Sequence, residues 1–230
     1  MRYDISGLTD VGTGRSSNQD VVAWRLSEDG RQALLLVADG MGGYQGGEIA
    51  SSLAAEAVLE AMAPRLEDAC WCQAEVESIR STLHSSIADA NDRVIDGRHD
   101  DPNLDKMGTT LVVAWVIDGC AHIAHVGDSR CYLLRDDAVV CLTRDDTVVQ
   151  NLLDDGSITA TDVPNVPFRN VLTKALGAGP APVASYHPMP LGTGDCLLLC
   201  TDGLTNALPE ALWPALEALV PPPHVWLDAG

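Results

Sequence analysis

Leu34-Leu35-Leu36-Val37-Ala38-Asp39-Gly40-Met41-Gly42-Gly43 decides the fold: an apolar run ends on a carboxylate and opens into a glycine-rich turn. The run reads as a buried strand, and the glycines let backbone and solvent come close to the acid, which is how a hard cation is presented. Ahead of it, Val21 to Leu26 and the turn Glu28-Asp29-Gly30 make a hairpin with Ala33 to Ala38. The pattern repeats downstream. Gly127-Asp128-Ser129 follows the apolar stretch Ile123 to Val126, and Thr201-Asp202-Gly203 follows Cys196 to Cys200, while Asp20 closes Arg15-Ser16-Ser17-Asn18-Gln19-Asp20. Four acids at strand or loop ends point to one converging metal site.

Outward from the hairpin the period changes. Ile49, Leu53, Ala57 and Ala61 are four apart, and Val76, Ile79, Leu83, Ile87, Ala90 and Val94 are three or four apart, so two helices with one apolar face each are expected, joined by about ten residues as an antiparallel pair on a sheet. Strand signals return at Thr109 to Ile117, Ala121 to Val126, Cys131 to Leu134 and Val139 to Leu142, with turns at Asp118-Gly119 and Asp136-Asp137, which reads as an antiparallel meander. Thr147 is placed to cap a short helix through Leu153, with Gln150 at the capping-box position and Gly156 at the stop. Thr159 to Arg169 is polar, punctuated by proline and without apolar period, so it reads as a surface loop. A stretch from Val171 to Leu176, a strand from Asp195 to Cys200 and a helix over Pro209 to Leu219 follow. Strands, two helices, then more strands imply an α+β antiparallel β-sandwich flanked by helix pairs, not a doubly wound parallel sheet. No linker or repeat divides residues 1–230, so a single domain is expected.

A formal net charge of −19 excludes a reader of nucleic-acid backbone, which needs clustered Lys and Arg. Acidity suits cation capture, although acids such as Asp100 and Asp101 read as solvated surface. The seven cysteines are an odd set; Cys120, Cys131, Cys141, Cys196 and Cys200 lie in or beside apolar runs and read as reduced core thiols. Cys70 and Cys72 lack a second Cys/His pair at zinc spacing. With no apolar signal region and no run long enough to span a membrane, a cytoplasmic protein is expected, and a monomer.

A pair of Mg or Mn ions ~3.5 to 4 Å apart activates water and stabilises in-line displacement at phosphorus. Asp39 suits the bridging position, Gly40 can add its carbonyl, Asp20 and Asp202 can complete the shells, and Asp128 can hold a further ion; Arg15 can take a phosphate bidentately. Singly, each has a plainer reading. Asp-Gly is commonly only a turn, Asp128-Ser129-Arg130 a solvated corner, Arg15 a surface charge, and the glycines from Gly40 to Gly47 lack the Lys-Ser/Thr ending of a nucleotide-binding loop.

Together, however, these residues resemble the protein phosphatase 2C family of metal-dependent Ser/Thr phosphatases, over Val11 to about Ala207. The family's motifs stand in order as Gly14-Arg15 through Asn18-Gln19-Asp20, Val37-Ala38-Asp39-Gly40-Met41-Gly42-Gly43, Gly47-Glu48-Ile49-Ala50-Ser51, Met107-Gly108-Thr109-Thr110, Val126-Gly127-Asp128-Ser129-Arg130, Leu142-Thr143-Arg144-Asp145, Leu172-Thr173-Lys174-Ala175-Leu176-Gly177 and Thr201-Asp202-Gly203-Leu204. The resemblance implies a binuclear Mn2+ or Mg2+ centre with a third ion at Asp128, hydrolysis of phosphoserine and phosphothreonine on proteins in opposition to a bacterial Ser/Thr kinase, and a substrate-gating flap at about 154–169. By it, Asp39 bridges, Gly40 lends its carbonyl, Asp20 and Asp202 serve the metals, and Arg15 binds phosphate. Four departures accompany it. Gln19 stands where Glu is usual, Asp146 where His is common, and Met41 where many eukaryotic members carry a catalytic His, so the likeness is to bacterial members. The fourth is the family's terminal Asp-Asn strand: Asp228 is followed by Ala229 with no strand expected after it, which implies an unpaired sheet edge and either a longer chain or a phosphoprotein-binding pseudophosphatase.

Overall fold

A computed structural model of the chain describes residues 3–12, 16–43, 45–98, 101–136, 138–208 and 213, and the backbone of 225–229. In chain order its elements are β1 (Ile5–Thr9), β2 (Asp20–Leu26), β3 (Gln32–Met41), α1 (Gly46–Leu66), α2 (Val76–Asp96), β4 (Gly108–Thr109), β5 (Leu111–Ile117), β6 (Cys120–Val126), β7 (Arg130–Arg135), β8 (Ala138–Cys141), α3 (Val148–Asp154), β9 (Ser185–Pro190), β10 (Cys196–Cys200), α4 (Asp202–Ala207) and β11 (Val225–Ala229). One sheet runs β2-β3-β5-β6-β9, with β4 paired to the end of β3; the other runs β1-β11-β10-β7-β8. This is the antiparallel α+β sandwich expected, except that β11 lies parallel to both neighbours.

The continuous apolar run of β3 follows from its place in the middle layer. Leu34 and Leu36 face α1 and α2, while Leu35 and Val37 face the second sheet, so the strand's period of two is hidden because both faces are buried. β5 repeats this, with Val113 and Trp115 toward the helices and Val112 and Ala114 toward the sheet. Each buried leucine contributes about 2 kcal/mol by leaving water. The polar edge of Trp115 is satisfied, its indole N–H donating to Gln32 Oε1 at 3.0 Å.

Several expectations are corrected. The buried stripe of α1 centres one position on, at Ala50, Ala54, Val58 and Met62; Ala57 is buried as expected, while Ile49 and Leu53 are only partly buried at its margin. The alanines at its N-terminal half let the helix close onto β3. The α2 stripe from Ile79 to Val94 is buried as expected, although Val76 at its start is exposed. The meander is split: β5 and β6 belong to one sheet and β7 and β8 to the other, the chain crossing layers at Gly127 to Ser129. β1 and the proline-bearing edge strand β9 had no expectation, and the stretch Val171 to Leu176 makes two isolated bridges, Leu172 to Thr147 and Leu176 to Thr109. Thr147 caps α3 by accepting from the Gln150 backbone N–H at 3.1 Å, but the Gln150 side chain donates to Asp154 instead of completing a capping box. Cys141 is exposed, whereas Cys131, Cys196 and Cys200 are buried.

The sheet edge expected to be unpaired is filled. β11 lies between β1 and β10, placing Asp228 opposite Leu8 and Cys200, because Val225-Trp226-Leu227 is a β-forming run and the slot offers backbone partners on both sides. Pro209 to Leu219 lies outside the described residues except for Trp213, which is fully buried and stacks edge-on against Tyr132 at 4.4 Å on the outer face of the second sheet.

Candidate active site

Antiparallel pairing of β2 and β3 places Asp20 opposite Asp39, so the hairpin alone brings two of the expected acids together. Asp202, at the end of β10, reaches the same place from the second sheet, and Asp128 from the turn between the sheets. Asp39 is the meeting point. Its carboxyl is pushed up to about 8 by burial first, then by the charges of Asp20 and Asp202, a hydrogen bond with Asp20, and Asp128. Asp128 is raised to about 6, by burial and then by Asp202 and Asp145.

Local chemistry explains the placement. Asn18 ties the strand ends together, donating to Thr9 Oγ1 at 2.6 Å and accepting from the Asp20 N–H at 3.0 Å. The Asp39 backbone is clamped on both sides: its N–H donates to Thr110 Oγ1 at 3.0 Å and its carbonyl accepts from Thr109 Oγ1 at 2.8 Å and Thr110 N at 2.9 Å. Gly40 admits no side chain, since a Cβ there would stand 2.0 Å from the Gly47 carbonyl and 2.6 Å from that of Gln19. This contact seats the start of α1 on the end of β3. The Gln19 carbonyl accepts from Gly40 N at 3.0 Å and Ser51 Oγ at 2.7 Å, so the departure from Glu at this position leaves a backbone anchor intact.

The crossing turn is held as firmly. Gly127 has φ of 102°, and its added Cβ would lie 2.7 Å from the Thr110 side chain. Asp146, where the resembled family commonly has His, accepts from the Gly127 N–H at 3.1 Å through Oδ2, and Thr110 and Ser129 share a hydroxyl hydrogen bond of 2.7 Å. Arg130, next in chain, forks onto Asp145 at 2.7 and 2.8 Å, which holds its guanidinium firmly charged.

Two cavities open here and share Asp39 and Asp202. One, of about 360 Å³, is lined also by Met41, Thr110, Asp128 and Lys174; the other, of about 410 Å³, by Asp10, Asn18, Asp20 and Asn206. Asn170 lines both. Among the described residues no group of three or more His, Cys, Asp or Glu side chains is set close enough to hold a metal ion by itself. An all-oxygen set around a partly buried acid nonetheless fits a hard divalent cation that keeps several waters and uses few carboxylates. Arg15 lies outside the described residues. Asp39 and Asp202 line both cavities, with Asp20 in one and Asp128 in the other; Thr109, Thr110, Asn170 and Lys174 stand beside them without having been given a role from the sequence, and Asp146, noted there only as a departure, holds the Asp128 turn. Their signal was present in Thr109-Thr110 and Lys174, polar residues set within otherwise apolar motifs.

A family model described as protein phosphatase 2C matches residues 13–224. The serine/threonine phosphatase stp of Listeria innocua is 38% identical over 207 residues, which are 88% of this chain and 78% of that protein. Among solved structures, the S. agalactiae serine/threonine phosphatase superposes with a TM-score of 0.81 at 31% identity, covering 91% of this chain and 84% of its own. The catalytic domain of the serine threonine protein phosphatase PstP in complex with two manganese ions gives 0.73 at 31% identity, covering 92% and 82%.

Proposed function

The chain belongs to the protein phosphatase 2C family, and from that membership we propose that it hydrolyses phosphoserine and phosphothreonine on proteins with two divalent cations, Mn2+ or Mg2+, and a third at Asp128. The observation that carries the proposal is the Asp39 carboxyl. It is partly buried, in hydrogen-bond contact with Asp20, within the field of Asp202 and Asp128, and open to both cavities. A negative cluster drawn from both sheets gains most from added positive charge.

In this reading Asp39 would be shared by the cations, Gly40 would offer its carbonyl, Asp20 and Asp202 would help hold them, and Arg15 would bind the phosphate. When bound, the cations supply an activated water and charge neutralisation for in-line displacement at phosphorus. The chain supplies orientation. Thr109 and Thr110 fix the backbone of Asp39, and Asp146 fixes the turn that carries Asp128. Met41 has no proton to give, so protonation of the leaving alkoxide falls to another group. The exposed segment 154–169 is proposed as a flap over substrate, and the protein as a cytoplasmic, monomeric opponent of a bacterial Ser/Thr kinase; among the described residues no helix is long and apolar enough to cross a membrane.

The test is Mn-dependent hydrolysis of a phosphothreonine peptide by wild type and Asp39→Asn. Turnover abolished by the substitution supports the proposal, and equal rates refute it. Phosphopeptide binding without turnover in either protein would identify a pseudophosphatase instead.

A further inference from the structure

Among the described residues, Lys174 is the one lysine or arginine lining either cavity, and it shares its cavity with Asp39, Asp128 and Asp202. Its position is built. Nζ donates to Asp146 Oδ1 at 2.8 Å and to the Val183 carbonyl at 3.3 Å, which engages two of three ammonium protons. Asp146 is nearly inaccessible, with its other oxygen on the Gly127 N–H.

The backbone around Lys174 is pinned at both ends. Leu172 bridges Thr147 on one side, Leu176 bridges Thr109 on the other, and Thr173 N donates to the Asp146 carbonyl at 2.7 Å. Thr109 in turn holds the carbonyl of Asp39, and Asp146 holds the turn of Asp128. Lys174 is thus fixed relative to both acids before any ligand arrives, so its ammonium loses little freedom on binding an anion. An ion pair serving only to neutralise Asp146 has no need of a cavity wall.

We propose that Lys174, positioned by Asp146, forms an oxyanion subsite of the active site, taking either a phosphoryl oxygen or a carboxylate beside the phosphorylated residue of the substrate. The proposal rests on the phosphatase reading. Half-buried and charged, Lys174 gives an otherwise acidic cavity one fixed partner for an anion.

Lys174→Met alone leaves Asp146 without its partner, so the informative protein is the double variant Lys174→Met with Asp146→Asn, which keeps an acceptor for the Gly127 N–H. Kinetics would be measured at saturating Mn2+ with p-nitrophenyl phosphate, a neutral phosphothreonine peptide and one with acidic flanks, beside inhibition by inorganic phosphate, Mn2+ titration calorimetry and thermal melts. The expected result is a rise in KM of about tenfold with kcat within about twofold, unchanged Mn2+ affinity, and restoration by Lys174→Arg. A rise for all three substrates with weaker phosphate inhibition assigns the phosphoryl oxygen; a rise confined to the acidic peptide assigns the carboxylate. Unchanged KM and inhibition overturn the proposal, as does a change confined to Mn2+ affinity or melting temperature. Should wild type turn over none of the substrates, the phosphatase reading fails, while calorimetric titration of phosphate into Mn-loaded wild type and double variant still decides the phosphoryl-oxygen form: weaker binding by the variant supports it and equal binding overturns it.

Discussion

Replacing Asp39 with Asn should make the metal-free protein more stable at pH 8 while abolishing its metal-dependent activity. The Asp39 carboxyl is raised from an ordinary 3.8 to about 8 by burial and by neighbouring acids. Between those values the folded chain holds a proton that the unfolded chain has released, so stability falls as pH rises through the window. Four units at 1.36 kcal/mol each set a ceiling on the order of 5 kcal/mol, which solvent in the open cavity reduces to about 2 to 3 kcal/mol. For a chain of this size that is about 4–12 °C in Tm. Asn matches protonated Asp in shape, so the two proteins should melt together below about pH 4, already differ slightly at pH 5 and separate progressively toward pH 8. Melts of chelator-treated proteins at pH 5, 6.5 and 8 read this directly. A variant no more stable than wild type at pH 8, or a gap that does not grow with pH, would refute the reasoning.

Gly40→Ala should cost on the order of 3 kcal/mol or more, because the obstructing atoms are backbone carbonyls of Gly47 and Gln19 that have no rotamer to yield; denaturant unfolding measures it. Thr147→Ala should cost about 1 kcal/mol through loss of the α3 cap, while Thr147→Ser should retain most of it. Asp195 is held below its ordinary value by Arg135, so its contribution is present above the unfolded value and is lost as pH falls through the lower folded value. Asp195→Asn should accordingly flatten the acid limb of Tm against pH below about 4, and an unchanged limb would refute the assignment.

The hairpin of Val21 to Ala38 was legible because a two-strand unit is determined by nearby residues, and its register carries Asp20 and Asp39 into contact without distant help. The helix pair was legible for the same reason. What local pattern could not show was layer membership: β6 and β7 are joined by a short turn that looks like any hairpin corner, yet Gly127 sends the chain to the other sheet, a choice made by packing against Thr110. β9 was hidden by Pro188 and Pro190, which only an edge position tolerates. β11 needed its two neighbours, which lie far away in sequence. At the site, carboxylates beside glycines announced themselves, whereas Lys174 acquires meaning only through Asp146 and Thr109, which no spacing along the chain connects to it.

The division of the acids between two sheets has a mechanical consequence. Asp20 and Asp39 ride on one layer and Asp202 on the other, so a cation shared among them would act as a rivet through the sandwich. Sliding of one layer over the other would stretch its coordination at once. Occupancy of the site should therefore slow hydrogen exchange in β3 and β10 together, although those strands belong to different sheets, and anything that loosens the inter-sheet core at Leu35 or Leu199 should reach the chemistry through the rivet before it reaches any surface loop.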